Sequence, residues 1–322
     1  MSVLVTGASG FIGKPLVEAL ANAGYGGVAT GRKPPSNLPR DWESFGRAEF
    51  LRSPASGGGV DVVVHLEVKQ HATLPSAADL VDFQTVNVDG TREWLAWAEN
   101  RNVTRFVCVS SVKAVRNKGG LTEETALSEH QDPYGCSKAA AEAVVREWAA
   151  ASRDRAALIL RLAPVYGPGN QANLAAFTRQ ILRGRPCLVG RGNVWKSILS
   201  RRNAVAAMLH LLPRMKPGCE VFNVADPAPV HLSDVARQIA EVGTAPEPRG
   251  LPWPVAMAIA RLGDVLQAIT GRPFPLDSRR LKTLTQDAMF SVEKLMRTGF
   301  VPAESTWEGI AEMTRWVGSH SR

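Results

Sequence analysis

A chain of 322 residues, 45% of them apolar, can build one large or two modest domains around a sizeable core. No apolar run approaches the roughly 18 residues of a membrane span, and Met1–Gly10 lacks the basic start of a signal peptide, so a cytoplasmic protein with no membrane partner is expected. Cys108, Cys136, Cys187 and Cys219 form no CxxC pair, which argues against a metal site or a disulfide framework, and the net charge of +8 is scattered, which points to small anionic ligands rather than nucleic acid.

Val3–Val5 reads as a short buried strand, and residues 14–23 have helical spacing, with Leu16, Val17 and Leu20 on one face. Val28–Thr30 is a second strand. Val60–Leu66 is a continuous apolar run, as in a strand covered on both faces. A helix over 83–100, a strand over 105–109, a helix over 134–151 and a strand over 157–160 follow. Strands alternating with helices imply an α/β fold, a Rossmann-type doubly wound parallel sheet. Beyond it, a turn is expected at 164–169, helices at 174–183, 205–212 and 232–242, a strand at 221–224, and a proline-rich surface connection at 246–254.

Thr6-Gly7-Ala8-Ser9-Gly10-Phe11-Ile12-Gly13 follows the first strand and opens a helix. Gly7 permits a tight turn, Gly10 lets a pyrophosphate approach the backbone, and Gly13 lets the helix pack closely on the strand. The free N–H groups of the helix start favour phosphate. At the end of the second strand, Thr30-Gly31-Arg32-Lys33 lacks the acid that would hydrogen-bond a ribose 2′-hydroxyl. Arg32 can instead grip a 2′-phosphate, so NADP(H) is favoured and NAD(H) stays open as the alternative.

Tyr134 and Lys138 lie at i and i+4 on one helical face. A phenol titrates near 10, and an ammonium one turn away is expected to lower that value and ready Tyr134 for proton exchange. Ser111 ends the preceding strand, where its hydroxyl can hold a reacting oxygen. Alternation puts Lys113 on the same side as Ser111, so Lys113 is expected to face the substrate.

These motifs together resemble the extended short-chain dehydrogenase/reductases, a group of nucleotide-sugar epimerases, dehydratases and reductases. The resemblance rests on Thr6–Gly13, His65-Leu66, Asn87–Thr91, the Ser111/Tyr134/Lys138 order, Val165–Asn170, Phe222–Val224, Gly299–Pro302 and Trp307–Ile310. It implies a Rossmann domain over 1–165 and a smaller C-terminal domain over 166–322 that grips the nucleotide-sugar, with 198–225 returning to the first. Cofactor contacts are implied at Gly7, Gly10, Phe11, Ile12, Gly13, Arg32, Leu66, Asn87, Tyr134 and Lys138. Substrate contacts are implied at Asn173, Lys196 and Arg280, beside Lys113. A homodimer through the long helices around Asn87 and Tyr134 is also implied.

Departures narrow the activity. Family dehydratases carry an Asp-Glu pair after the catalytic hydroxyl, whereas this chain has Val112-Lys113, so dehydration is not expected. Ser110-Ser111-Val112-Lys113 is similar to a subgroup of bacterial surface-polysaccharide enzymes that includes 4-keto reductases. Lys196 stands where a family arginine meets the substrate phosphates, Arg202 replaces an acid, and Glu67 replaces a small residue beside the cofactor. The expected activity is reduction of a 4-keto UDP-sugar by NADPH. The alternatives are a C4 epimerase with tightly bound NAD and a non-catalytic NADP-sensing regulator, the latter disfavoured by the retained Tyr134 and Lys138.

Overall fold

Val3, Leu4 and Val5 are all wholly buried, so the first strand has no solvent face and its sheet must be covered on both sides. The computed structural model describes residues 1–53, 58–70, 76–115, 122, 132–170, 173–272, 274 and 276–320. Its first half runs β1 (Ser2–Thr6), α1 (Gly13–Asn22), β2 (Gly26–Gly31), β3 (Trp42–Gly46), α2 (Arg47–Arg52), β4 (Val62–His65) and α3 (Ala77–Asp82). It continues through α4 (Gly90–Asn100), β5 (Arg105–Ser111), α5 (Pro133–Ala150) and β6 (Ala156–Leu162). The second half contains β7 (Val165–Tyr166), α6 (Asn173–Leu182), β8 (Leu188–Val189), β9 (Trp195–Lys196), β10 (Leu199–Ser200), α7 (Arg201–Leu211) and β11 (Gly218–Val224). Then come β12 (Val230–His231), α8 (Leu232–Val242), β13 (Gly250–Leu251), α9 (Trp253–Thr270), α10 (Ser278–Thr285), α11 (Glu293–Met296) and α12 (Thr306–His320).

Seven strands form one sheet in the order β11-β6-β5-β4-β1-β2-β3. Every pairing in it is parallel. The period of two along each strand builds two cores. Val3, Val5, Val62 and Val64 face Leu16, Val17 and Leu20 of α1 together with Ala204, Met208 and Leu211 of α7. Leu4, Val63 and Phe106 face Phe50, Trp94 and Trp97 together with Val145 and Trp148 of α5. A separate core joins α6, α8 and α12 through Ile181, Val235, Ile239, Ile310 and Met313. Strand order reverses direction at β1, between β2 and β4, and the loops after β1, β4 and β5 meet there. That crevice is where open parallel sheets bind ligands.

Among the elements that differ from the sequence expectation, three show why the sequence misled. β3 is an edge strand in which Trp42 is buried and Glu43 exposed, and its WESFG sequence carries no apolar alternation to announce it. The expected single helix over 83–100 is divided: Phe83–Asp89 widens into π-helical turns that carry Asn87, as helices do near functional sites. The expected connection at 246–254 holds β13 and the first turn of α9, which starts with Trp253-Pro254 because proline is tolerated in a first helical turn.

α5 is anchored by a buried carboxylate. Glu142 is wholly buried and accepts hydrogen bonds from Ser110 Oγ (2.6 Å), Arg161 Nη2 (2.8 Å) and Nε (3.0 Å), and Arg146 Nη2 (3.0 Å). These donors belong to β5, β6 and α5 itself, so one side chain ties the helix to two strands. Removing one partner of a buried pair leaves the other charge uncompensated, at a cost of about 3–5 kcal/mol. Glu142→Gln should therefore lower the urea midpoint by an amount equivalent to about 3 kcal/mol with an unchanged m-value. An unaltered midpoint would show that the ion pair contributes nothing to stability.

Candidate active site

The loop after β1 fits a pyrophosphate. Gly7 has φ +66°, and a Cβ there would lie 3.0 Å from Glu67 N and from Leu66 C. A Cβ on Gly13 would meet Gly7 O at 2.3 Å, so α1 sits against the loop only because residue 13 is glycine. Ile12 supplies no side-chain cap to α1, leaving its first N–H groups for an anion. Gly10 N donates to Gly7 O at 3.0 Å and closes the turn. Phe11 lies beneath the Arg201 guanidinium, 5.1 Å from ring centroid to Cζ, and against the Gly167–Gly169 turn, which joins the loop to the second half of the chain. At the end of β2, Arg32 is exposed and has no side-chain partner among the described residues.

Behind the loop, protons are ordered along one chain of hydrogen bonds. Thr91 Oγ1 donates to Asn87 O at 2.7 Å, so it accepts from His65 Nε2 at 3.2 Å. His65 Nδ1 then accepts from Thr6 Oγ1 at 2.8 Å, and Thr6 Oγ1 accepts from Leu66 N at 3.2 Å. The imidazole is neutral with its proton on Nε2, and burial pushes its pKa down to about 3, with the Lys138 and Arg47 charges adding to the shift. Asn87 accepts from Lys69 N (2.8 Å) and donates to Ser137 Oγ (2.9 Å), clasping the loop after β4 to α5. Glu67 now has an account: its Oε2 accepts from Arg47 Nε (3.0 Å) and Trp94 Nε1 (2.8 Å), so the carboxylate braces α2 against α4.

The candidate catalytic groups gather where β5 ends. Ser111 Oγ accepts from Lys113 N at 3.2 Å and hydrogen-bonds the Tyr134 phenol. Lys113 Nζ reaches Asp132 at 3.2 Å and lies 5.7 Å from the Tyr134 ring centroid. Asp132 sits at the start of α5, just before Pro133, but spends its carboxylate on Lys113 instead of capping the helix. Lys138 is buried, and its Nζ donates to Val109 O at 2.7 Å. The expected lowering of the phenol pKa by Lys138 is reversed here. Burial pushes Tyr134 up to about 12, Asp132 adds to that, and only Ser111 opposes it. Lys138 is not among the charges that act on the phenol, and its Nζ bonds Val109 O instead.

In the second half, two of the expected substrate contacts, Lys196 and Arg280, hydrogen-bond backbone carbonyls around α10. Lys196 Nζ donates to Thr283 O at 2.7 Å and to Gln286 O, closing the end of α10. Arg280 donates to Phe274 O and lies 3.9 Å from Asp277. Asn173 opens α6, and its side chain is outside the described residues, as is the loop at 116–118. Arg202 pairs with Glu312 at 3.2 Å and Glu304 at 3.7 Å, a link to α12 rather than to the site. Sequence reasoning missed Asp132 and Glu142. An aspartate just before an N1 proline was a readable signal for the first; a glutamate one turn beyond Lys138 was the only hint of the second. A depression lined by Met1, Asp61, Asn102 and Arg105 lies at the opposite edge, where the strands begin, and holds none of these groups.

The family model described as NAD dependent epimerase/dehydratase matches residues 3–225. An N-acetyl-α-D-glucosaminyl-diphospho-ditrans,octacis-undecaprenol 4-epimerase of Escherichia coli O157:H7 is 29% identical, with 100% of this chain and 96% of that protein covered. A ceramide reductase of Caulobacter vibrioides is 31% identical over 84% of this chain and 80% of the relative. A Bacillus cereus UDP-glucuronic acid 4-epimerase, solved with UDP-glucuronic acid and NAD, shares the fold at a TM-score of 0.77 and 19% identity, covering 99% of this chain and 100% of that one.

The neutral His65 makes stability depend on pH. An exposed histidine titrates near 6.5, whereas His65 titrates at about 3 when folded. Between those values the unfolded chain binds the extra proton, so stability falls as the pH drops below about 6.5. From pH 7 to pH 5 this one group should cost on the order of 2 kcal/mol. His65→Gln should lose correspondingly less stability over the same interval, read from urea midpoints at the two pH values. An identical loss in both proteins would remove His65 as its source.

Proposed function

The chain belongs to the NAD-dependent epimerase/dehydratase family, the extended short-chain dehydrogenase/reductases, and on that footing we propose that it reduces the 4-keto group of a diphosphate-linked sugar, a UDP-sugar first among them, with NADPH favoured over NADH. One observation carries this reading: the Tyr134 phenol is hydrogen-bonded to Ser111 at the mouth of the sheet and, with its pKa near 12, keeps its proton at neutral pH. Reduction of a ketone needs a proton delivered to oxygen, and a phenol that holds its proton is in the right state to deliver it. A nicotinamide dinucleotide, when bound, supplies the hydride. Ser111 holds the carbonyl oxygen. Lys113, with its ammonium pKa lowered by burial against the opposing pull of Asp132, offers a charge to the sugar or its diphosphate. Val112 and Lys113 provide no carboxylic acid for dehydration. Exposed Arg32 supports the NADPH preference, since a guanidinium is suited to a 2′-phosphate.

A second reading is C4 epimerisation, favoured by the full-length similarity to a 4-epimerase. It uses the same residues but first withdraws a proton from a hydroxyl, which requires Tyr134 as phenolate and therefore Lys138 turned from Val109 toward the phenol. The carrier of the sugar lies outside the reacting ring, so a nucleotide or a polyprenyl diphosphate can serve either chemistry; the lipid-linked substrate in the name of the E. coli relative motivates the second carrier. The homodimer expected from the resemblance and the cytoplasmic setting expected from the sequence composition belong to this proposal.

The deciding assay offers a 4-keto-6-deoxy UDP-sugar with NADPH or NADH and follows loss of reduced cofactor. Consumption with NADPH preferred is expected, and Arg32→Asp should shift the preference toward NADH. No consumption, together with interconversion of C4 epimers without added reductant, selects the epimerase. Tyr134→Phe should lower turnover on the order of 10²-fold or more while cofactor affinity stays within a few-fold. Full activity in that variant would remove Tyr134 as the proton donor.

A further inference from the structure

α9 is apolar on the wrong side for a helix in water. It buries Ala256, Ala260 and Gly263 against α10, where Leu281 completes a small cluster with Leu276. A helix packed through that stripe should carry polar residues opposite it. The opposite face instead reads Val255, Ala258, Leu262, Val265 and Ile269, spaced alternately three and four apart. Val255 is 45% exposed, Leu262 and Val265 55% each, and Ile269 75%, while Trp253 at the helix start is 48% exposed. Arg261 and Asp264 are the only charged residues among the helix's 18.

We propose that α9 lies in the surface of an anionic lipid bilayer, with this stripe seated at the boundary between headgroups and acyl chains. Three observations select that occupant. The apolar area is on the order of 400 Å², large enough for a functional patch but about half of what each partner of a stable dimer buries. The charge around it is one-sided. Arg261 on the helix and Arg272 just beyond it are exposed, whereas Asp264, the one acid of the helix, is held by Ser278. Basic residues flanking an apolar helical face, with an aromatic at its end, are what an interfacial helix presents to anionic lipid. No described helix is long and apolar enough to cross a membrane, so α9 rests on the bilayer rather than spanning it. The expectation of no membrane partner came from the missing span, a test blind to a helix lying in the surface plane.

α10 lies between this surface and the candidate active site. α9 packs on α10, and Arg279 of α10 is near enough to Lys113 for its charge to lower the Lys113 ammonium pKa. A sugar diphosphate carried on a lipid would therefore be met at the bilayer one helix away from the site. Only this link to substrate rests on the function proposed above; the bilayer contact does not.

The test is co-sedimentation of the full chain with vesicles of phosphatidylcholine containing phosphatidylglycerol, and with phosphatidylcholine alone. The wild-type chain should bind the anionic vesicles several-fold more than the neutral ones. The double variant Leu262→Glu, Val265→Glu should lose about tenfold or more of that binding, as charges enter the apolar boundary. NADPH titration reports whether the variant is folded, and Arg272→Glu, at an exposed position beyond the helix, is the second variant and should weaken only the anionic preference. No vesicle binding by the wild type, or equal binding by the double variant, overturns the proposal. So does light scattering that shows the double substitution splitting a dimer. Vesicle binding without any sugar turnover would leave the docking surface standing and remove the proposed activity; turnover on a UDP-sugar without vesicle binding would do the reverse.

Discussion

The position of the candidate catalytic helix depends on one buried carboxylate. Glu142 collects donors from Ser110 of β5, Arg161 of β6 and Arg146 of α5, and so pins α5 to the strand that ends in Ser111. Tyr134 lies on the same helix, two turns earlier. Its hydrogen bond to Ser111 therefore forms between two rigid elements whose separation a buried ion pair sets. Such a pair adds little net stability relative to an apolar substitute but is costly to break. Its value here is geometric: Ser111 and Tyr134 are held in register by a contact that neither of them makes. Glu142 also favours the charged form of Lys138, whose ammonium is otherwise penalised by burial.

A second network carries that register to the glycine loop. Thr6 ends β1, His65 ends β4, and Thr91 and Asn87 lie on the crossover that follows; their hydrogen bonds run in one direction from loop to helix. Asn87 then reaches Ser137 on α5. The glycine turn and the helix that carries Tyr134 are thus joined through neutral, hydrogen-bonded groups. A buried histidine serves this purpose because it can accept on one nitrogen and donate on the other, and burial keeps it neutral. Glu67 adds an outer brace through Arg47 and Trp94, which explains why an acid is tolerated where a small residue was expected.

Electrostatics at the mouth of the sheet divides two cations between two tasks. Lys138 is buried and spent on Val109 O; Lys113 is partly exposed, paired with Asp132 and close to the Tyr134 ring. The phenol consequently responds to burial and to a carboxylate rather than to an ammonium, and its proton is held tightly.

The sequence alone determined the parts of this protein that are local in the chain. Thr6–Gly13 announces its turn because each glycine answers a backbone requirement within eight residues, and the structure repeats that logic in the φ of Gly7 and the closeness of Gly13 to Gly7 O. The buried strands declare themselves by continuous apolar runs, and Ser111, Tyr134 and Lys138 by their order and spacing. Where the signal was weak the element was missed: β3 has one neighbour and no alternation, and α9 follows prolines that read as a loop. What only the tertiary structure decided is long-range and electrostatic. Lys138 and Val109, Glu142 and Arg161, Lys113 and Asp132, and Glu67 and Arg47 are each brought together by the crossing of strands and helices. The raised pKa of Tyr134 likewise follows from its burial and from Asp132, because burial and neighbouring charge are properties of assembled space and leave no pattern along the chain.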